Sequence, residues 1–308
     1  MIKLNYLTKY LIVINPISGS GKAKKYINQI DSFFLSRRLE YKIILTEYHG
    51  HAIKIVQDYE DYYDVIICAG GDGTVNEIVN GFNFNLDKTF AVLPIGSGND
   101  YASNLNLAKE INSLLEQILN PNGKFIYSDV ISIRFKENNI WKEKLSLNAV
   151  GIGFDAYVAY LNQHNKRISG IISYIFAVFK GLKNLKAINF KLHIDKREVQ
   201  GNFVVVTIGN GKTSGGGFYL NPRASINDEI LNITTIDKVT KLKLLKELPK
   251  ALINKLDKVK EASFYEGNSI RIEFDEPYFV HSDGEILGTE VNEMEIKLYN
   301  HKLKTIVG

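Results

Sequence analysis

A chain of 308 residues exceeds what one small core organises, so length alone favours two domains. With 45% hydrophobic and 23% charged residues it has the composition of a soluble globular protein, and its net charge of +4 permits contact with phosphates or anionic lipid without suggesting a nucleic-acid partner. The single cysteine, Cys68, excludes an internal disulfide and a cysteine metal cluster and fits a reducing, cytosolic setting.

The N-terminal MIKLNYLTKYLIVINP has too short an apolar run for a signal peptide and no small-residue cleavage site. Its YLIVINP portion reads as a buried strand ending at Pro16, followed by the loop ISGSGKA and a helix from about Lys22 to Arg38. YKIILTEY is a second strand, and GHAIKIVQDYEDYY has helical apolar spacing. DVIICAGG is a third strand, TVNEIVNGF a third helix and FAVLPIG a fourth strand. Strand, loop and helix alternate to about Asn120, which predicts a parallel sheet covered by helices.

After Pro121–Gly123 the texture changes. SDVISIRF, WKEKLSLNAVGIGF, INFKLHID, NFVVVTIGNG, EILNITTID, NSIRIEFDEPYFVHSDGEIL and MEIKLYN read as strands separated by turn residues. Helices are confined to about Lys166–Leu185 and Lys241–Leu256. The fold class is therefore an α/β N-terminal domain with a parallel sheet, over 1–128, and a β-rich, antiparallel, sandwich-like C-terminal domain over 129–308. The last strand, about 294–308, is able to return to the first domain. No long linker separates the domains, so they are expected to pack with a cleft between them.

The strongest candidate for a membrane span, Ile168–Phe179, is twelve residues long, well short of the roughly 20 a spanning helix needs. The surrounding NKRISGIISYIFAVFKGLKNLK is basic at both ends and apolar at its centre. Lys238–Lys260 carries eight lysines against Glu247 and Asp257, with leucines at helical spacing. Either segment could be an ordinary helix with a solvated face, or a face resting on anionic lipid.

In an open parallel sheet, ligands bind beyond the carboxyl ends of the strands. Three loops lie there: NPISGSG, GGDGTVNE and PIGSGND, all rich in glycine, small hydroxyls and asparagine. Glycine lets backbone amides approach a phosphate, and the helix that follows favours the anion. Any one of these loops alone would be read as a tight turn; three from adjacent strands point to a nucleotide. GSGKAK is not a dinucleotide fingerprint, because Lys24 stands where the third glycine belongs. NPISGSGKA is not a Walker loop, because Pro16 occupies its first glycine and Ala23 its hydroxyl position. Asp72 and Asp100 put carboxylates among phosphate-binding groups. Singly each reads as a helix N-cap; together they favour metal-assisted phosphoryl transfer.

AGGDGTVNEIVNG followed by LPIGSGNDYA resembles the catalytic domain of the diacylglycerol kinase family, which includes bacterial lipid kinases, sphingosine kinases and ceramide kinases. VINPISGSGKA, LTEYHGHA, NAVGIGFDA, GNGKTSGGGFYLNPRA and SDGE resemble further motifs of the family in order, nearly end to end. The resemblance implies that the first domain binds ATP, with Asn15, Pro16, Ser18 and Gly19 at the phosphates and Thr46 close by. It implies a central loop of Gly70, Gly71, Asp72, Gly73, Thr74 and Asn76, completed by Ser97, where the family often has threonine. From SDGE it implies an acid acting as general base on a lipid hydroxyl: Glu285, with Asp283 its rival. Mg²⁺ accompanies ATP. A structural Mg²⁺ site of bacterial members would map onto PRASINDEIL, at Asp228, Ser225 and Ile230, although Glu229 replaces the family's glycine there.

The resemblance thus implies an ATP-dependent lipid kinase, cytoplasmic and peripherally bound to membrane, with diacylglycerol the first choice of acceptor. NAD kinase shares the G-G-D-G-T loop and is the second enzyme reading; a non-catalytic lipid or nucleotide sensor is the third. Retention of Asp72, Asp100, Asp283 and Glu285 disfavours the sensor. The histidines form no metal cluster: His49 and His51 suit a helix start, and His281 lies beside SDGE, where it could tune Glu285. An exposed edge of the β domain could pair with a second copy as a homodimer.

Overall fold

The structure, a computed structural model, describes residues 8–163 and 170–308. The chain divides into two compact units. One runs to Ser128 and takes up His301–Gly308; the other spans Asp129–Asn300.

The first unit is built on four parallel strands, β1 (Lys9–Ile14), β2 (Glu40–Leu45), β3 (Val65–Gly70) and β4 (Thr89–Pro94), in the order β2-β1-β3-β4. Every residue of β3 is buried, as expected of a parallel strand covered on both faces. Helices α1 (Lys24–Ser36), α2 (His51–Tyr59), α3 (Asp72–Gly81) and α4 (Ile111–Leu119) are each amphipathic. On one face of the sheet, Ile12, Ile67 and Leu93 share a core with Ile30, Phe34 and Leu115, and the ring of Tyr10 meets that of Phe34 edge-on at 5.2 Å. A short fifth strand, β5 (Phe125–Ser128), ends this stretch of chain.

Two helix starts differ from expectation, and both differences bear on the loops. Helix α1, expected from about Lys22, begins at Lys24, and the loop before it is a run of turns with Gly19, Ser20 and Gly21 all at positive φ. Conversely, α3 begins at Asp72 rather than Thr74, so the Asp-Gly pair lies inside its first turn.

The second unit is a nine-stranded antiparallel sheet among the described residues. Its strands are β6 (Ile131–Glu137), β7 (Ile140–Ser146), β8 (Ala149–Gly153), β9 (Ile188–Ile194), β10 (Arg197–Gly209), β11 (Leu231–Asp237), β12 (Ala262–Gly267), β13 (Ser269–Ser282) and β14 (Glu285–Leu298). They run in the order β12-β11-β10-β8-β13-β14-β6-β7, with β9 paired to both β10 and β13. The two long strands each shift register midway. β10 pairs with β9 before Val205 and with β8 from there on; β13 pairs with β9 through Phe274 and with β8 from Val280. The sheet thereby wraps onto one core containing Ile133, Val150, Phe190, Val206, Ile272 and Met294.

Helices α5 (Phe154–Gln163), α6 (Ile171–Gly181) and α7 (Lys241–Leu252) pack into a second apolar cluster, with Val158, Tyr174, Val178, Phe218 and Ala251 at its centre. Helix α5 is unanticipated: the sequence reading ended a strand at Phe154, but Gly153, at φ +88°, turns the chain directly from β8 into a helix. The expected helix start at 166–169 lies outside the described residues. Strands β5 and β12 were likewise not expected, and WKEKLSLNAVGIGF proves to be two strands, β7 and β8.

Strand β14 stays in the second sheet to Leu298, further than an excursion starting near 294 would allow. The chain then supplies β15 (Leu303–Ile306) to the first sheet, antiparallel to β5 and bridging to β4 in parallel. Its seat is marked by three buried hydroxyls: Tyr101 Oη lies 2.8 Å from Ser128 Oγ and 3.0 Å from Thr305 Oγ1. Replacing Tyr101 with Phe leaves Ser128 a 3.5 Å contact with Thr305, which keeps its bond to the Leu303 carbonyl (3.2 Å). The expected cost is about 1 kcal/mol, read as a lowered urea midpoint at unchanged slope.

Candidate active site

The three glycine loops lie at the carboxyl ends of β1, β3 and β4, and the structure ties them into one body. Asn15 is the hub of the first. Its amide donates to the Ala69 carbonyl (3.0 Å), its Oδ1 accepts from the Ile17 amide (3.1 Å), and its Nδ2 donates to Thr74 Oγ1 (3.1 Å). Thr46 joins from β2, its amide donating to the Ile14 carbonyl at 2.8 Å. The second and third loops touch backbone to backbone: a Cβ on Gly96 would fall 2.3 Å from Gly71 Cα, a distance no side chain tolerates. Gly19, at φ +59°, closes the set, since a Cβ there would fall 2.6 Å from the Ile95 carbonyl oxygen.

Asn99 holds the third loop shut. It adopts φ +59°, accepts from the Gly96 amide (3.1 Å) and donates to the carbonyls of Pro94 (3.2 Å) and Gly96 (3.0 Å). Asp72 Oδ1 accepts the Tyr101 amide at 3.2 Å, so this carboxylate fastens the third loop to the first turn of α3. Asp100 is buried, and its carbonyl accepts from Ser103 Oγ (2.7 Å) and Asn104 Nδ2 (2.9 Å).

The predicted nucleotide residues therefore separate into two kinds. Pro16, Ser18, Gly19, Gly71, Asp72 and Gly73 are partly open to solvent and Ser97 is exposed, whereas Gly70, Thr74 and Asn76 are buried. Thr74 and Asn76 shape the loop from behind, and the amides of the first turn of α3, which no i−4 carbonyl can take, are its anion-facing groups. Glycine backbone, small hydroxyls and a helix N-terminus together fit a polyphosphate, and the half-buried Asp72 fits a cation carried with it.

Glu77 was not singled out in the sequence, yet it explains the G-H-A segment. Its carboxylate accepts the amides of Gly50 (2.8 Å) and Ala52 (3.1 Å) and lies 2.9 Å from His49 Nδ1. It thereby caps α2 from α3. His51 opens α2, accepts the Glu47 amide at Nδ1 (3.1 Å) and stacks on Tyr48 at 4.5 Å. Cys68 is a buried core residue of β3, and burial pushes its thiol well above the usual range.

In the second unit, Asp283 and Gly284 form the two-residue turn between β13 and β14, both at positive φ, and Glu285 opens β14, half-buried, paired with Ser282. The two candidate bases behave differently. The Asp283 carboxylate accepts Ser146 Oγ (2.8 Å) and the amides of Leu147 (3.1 Å), Asn148 (3.0 Å) and Ala149 (2.9 Å). The Asp283 carboxylate thereby ties the turn to the chain at 146–149.

The neighbouring motifs serve the same construction. Asn148 Nδ2 donates to the Thr213 carbonyl (2.7 Å), and Asn210 Nδ2 to those of Asp129 (2.8 Å) and Leu147 (2.9 Å). His281, 1% exposed, lies 2.8 Å by Nε2 from Asp155 Oδ2, and the other oxygen of Asp155 accepts the Tyr174 hydroxyl. Burial pushes the Asp155 carboxyl up, but His281 beside it, and then the Tyr174 hydroxyl, outweigh that and hold the group below the usual range. Asp155 and Tyr174 also border an apolar cavity of about 90 Å³, walled by Val158, Phe218, Leu244 and Val259 among others.

The segment expected to hold a structural metal is closed on itself. Glu229 does adopt the positive φ (+63°) that a glycine would favour, and its amide donates to Asp129 Oδ2 at 2.7 Å. Asp228 Oδ1 accepts the Ile230 amide (3.1 Å), and Ser225 Oγ bonds Asn227 Oδ1 (3.1 Å). Burial first, then the charge of Asp129, raise the Asp228 carboxyl above the usual range. Among the described residues no three His, Cys, Asp or Glu side chains gather as a metal site.

Residues 9–129 match the diacylglycerol kinase catalytic domain, and residues 148–299 match the YegS C-terminal NAD kinase beta sandwich-like domain. A Staphylococcus aureus (strain MSSA476) protein named "Putative lipid kinase SAS0691" is 31% identical over 220 residues, 69% of this chain and 68% of that one. A Staphylococcus carnosus (strain TM300) protein named "Putative lipid kinase" is 27% identical over 230 residues, 72% of each. In fold, the chain is similar to a diacylglycerol kinase from Bacillus anthracis str. Sterne, with a TM-score of 0.72 at 22% identity over 97% of both chains. It is also similar to yeast NADH kinase, with a TM-score of 0.55 at 13% identity over 99% of this chain and 84% of that one.

The contact of Gly71 with Gly96 yields a direct test. Gly96→Ala must drive the second and third loops apart, because the clash is with backbone. ATP affinity measured by titration calorimetry is expected to fall at least about tenfold, a loss of about 1.4 kcal/mol.

Proposed function

We propose, from the premise that this chain belongs to the diacylglycerol kinase catalytic-domain family of lipid kinases, that it transfers the γ-phosphate of ATP to the hydroxyl of diacylglycerol, giving phosphatidate. The observation that carries the reading is the coexistence of a phosphate-suited loop set in one unit with a turn presenting Glu285 in the other. In the first unit, the loop amides and the hydroxyls of Ser18 and Ser97 hold the phosphates. Mg²⁺ accompanying ATP would neutralise charge on the phosphoryl group, with Asp72 the carboxylate nearest to hand. The lipid hydroxyl gives its proton to the Glu285 carboxylate, its oxygen forms the new bond to phosphorus, and the bond to ADP breaks. Asp283 keeps the turn in place through its bonds to Ser146 and Ala149.

The residues at 225–230 suit a structural Mg²⁺ in one respect: burial first, and then the like charge of Asp129, raise the Asp228 carboxyl, and a cation beside Asp228, Ser225 and Ile230 would relieve both. The cavity bordered by Asp155 and Tyr174 is suited to a hydrocarbon chain, since its walls are almost wholly apolar.

The test is phosphate transfer in mixed micelles, with diacylglycerol, monoacylglycerol, a sphingoid base and NAD offered in parallel to wild type and Glu285→Ala. Product from diacylglycerol, reduced at least about a hundredfold in the variant, is the expected result. Phosphorylation of NAD alone would overturn the lipid reading.

The same reading places the protein against membrane. Among the described residues no helix is long and apolar enough to cross a bilayer. Helix α6 nevertheless exposes Ile172, Phe176 and Phe179 at one-turn spacing, and Leu242 at the start of α7 is 80% exposed. Lys241 Nζ donates to the Lys183 carbonyl at 3.3 Å, which brings the start of α7 to the end of α6. Exposed Lys180, Lys183 and Lys246 accompany this apolar stripe, whereas Lys243 and Lys250 are engaged by Glu261 and Glu247. An apolar face with a lysine border suits an anionic bilayer surface. Phe176→Asp with Phe179→Asp is expected to abolish co-sedimentation with phosphatidylserine-containing vesicles while ATP affinity is retained.

A further inference from the structure

A two-residue turn with positive φ at both positions reverses a hairpin without help from distant side chains. The Asp283–Gly284 turn has such help on every side. The Asp283 carboxylate is anchored by the chain at 146–149. The Gly284 amide donates to His281 Nδ1 at 3.3 Å, and the Gly284 carbonyl accepts Gln163 Nε2 at 3.0 Å. Both peptide groups of Gly284 are therefore held, and the second of them is the one that leads into Glu285.

The two holders trace to opposite ends of one helix. Gln163 is the last residue of α5; Asp155 is its second and fixes His281. An imidazole accepting at Nδ1 carries its hydrogen on Nε2 and donates it to Asp155, so the carboxylate selects the tautomer that can hold Gly284. Space for this pair exists only because Gly151 has no side chain: a Cβ there would fall 2.1 Å from His281 Nε2 and 2.2 Å from Asp155 Oδ2. On the far side, the Asp155–Tyr174 bond is backed by Gly215, where a Cβ would fall 2.6 Å from the Tyr174 ring. Gly284 is thus held by His281 and Gln163, and His281 in turn is backed by Asp155, Tyr174 and the space left at Gly151 and Gly215.

We propose that His281 and Gln163 are positioning residues for phosphoryl transfer, fixing through Gly284 the peptide that presents Glu285 to the acceptor hydroxyl. The inference rests on the reading of Glu285 as the base. It makes α5 a brace: through its two ends it sets the direction in which the base points, without touching the substrate itself.

The experiment compares kinetics with diacylglycerol micelles for wild type, Glu285→Ala, Gln163→Ala, His281→Asn and His281→Gln, alongside hydrogen exchange of the 282–286 peptide. Asparagine places an acceptor where Nδ1 was, and glutamine a donor where Nε2 was. Positioning therefore predicts that His281→Asn keeps more kcat than His281→Gln, whereas a role limited to satisfying Asp155 predicts the reverse. His281→Gln is expected to lose about ten- to a hundredfold in kcat with KM for ATP unchanged. Gln163 is exposed, so Gln163→Ala folds normally; it is expected to lose severalfold in kcat and to exchange faster at 282–286. Wild-type kcat and exchange in Gln163→Ala, or glutamine outperforming asparagine at 281, would overturn the proposal while Glu285→Ala, if inactive, left the base in place. Full activity of Glu285→Ala would instead remove the base reading, and this inference with it.

Discussion

The glycine loops of the first unit depend on a contact in which no side chain takes part. Where the chain leaves β3 and β4, Gly71 and Gly96 approach so closely that a Cβ on Gly96 would fall 2.3 Å from Gly71 Cα, and one on Gly71 3.1 Å from Gly96 Cα. Two exit loops can then share a single surface, with the first turn of α3 beside them. The polar groups around that contact hold it in place: Asn99 closes one loop, Asp72 joins it to the helix through the Tyr101 amide, and Asn15 reaches across from the first strand to Thr74. Buried hydrogen bonds of this kind are individually worth about 1 kcal/mol, but they share partners, so they stand or fall together.

The second unit solves a comparable problem with a different device. Asp283 and Glu285 stand two residues apart on a hairpin, and the Asp283 carboxylate takes four donors from the chain at 146–149, which fixes the turn that leads into Glu285. The like pairing of Asp72 with the Tyr101 amide suggests a common economy: in both units a motif aspartate orders the loop that carries the other groups.

What could be read from the sequence was whatever depends on local pattern. The alternating strands and helices of the first unit, the antiparallel character of the second and the three glycine loops all follow from apolar period and turn residues within a few positions. What could not be read depends on partners far away along the chain. Helix α5 was hidden because Gly153 converts strand to helix with no intervening loop residues to announce it. Glu77 looked like any helical glutamate until its partners, Gly50 and Ala52, were brought to it by the packing of α2 on α3. That Asp283 is the carboxylate bound by the amides of 147–149 could not be read either, because nothing local says that those amides point at it and not at Glu285. Thr74 and Asn76 belong to a glycine-rich loop by sequence but to its buried side by geometry.

The return of the chain to its first sheet has a consequence for how the molecule is made. Ser128, the last residue of the first unit before the excursion, is the register partner of Leu303, just after it. The second unit is thus a guest spliced between two neighbouring strands of its host, attached at adjacent points. On a ribosome the host is made first, yet its sheet cannot be completed until the residues after 300, which supply β15, have followed the whole of the guest. A loop joining Ser128 directly to Leu303 would make the host one uninterrupted chain.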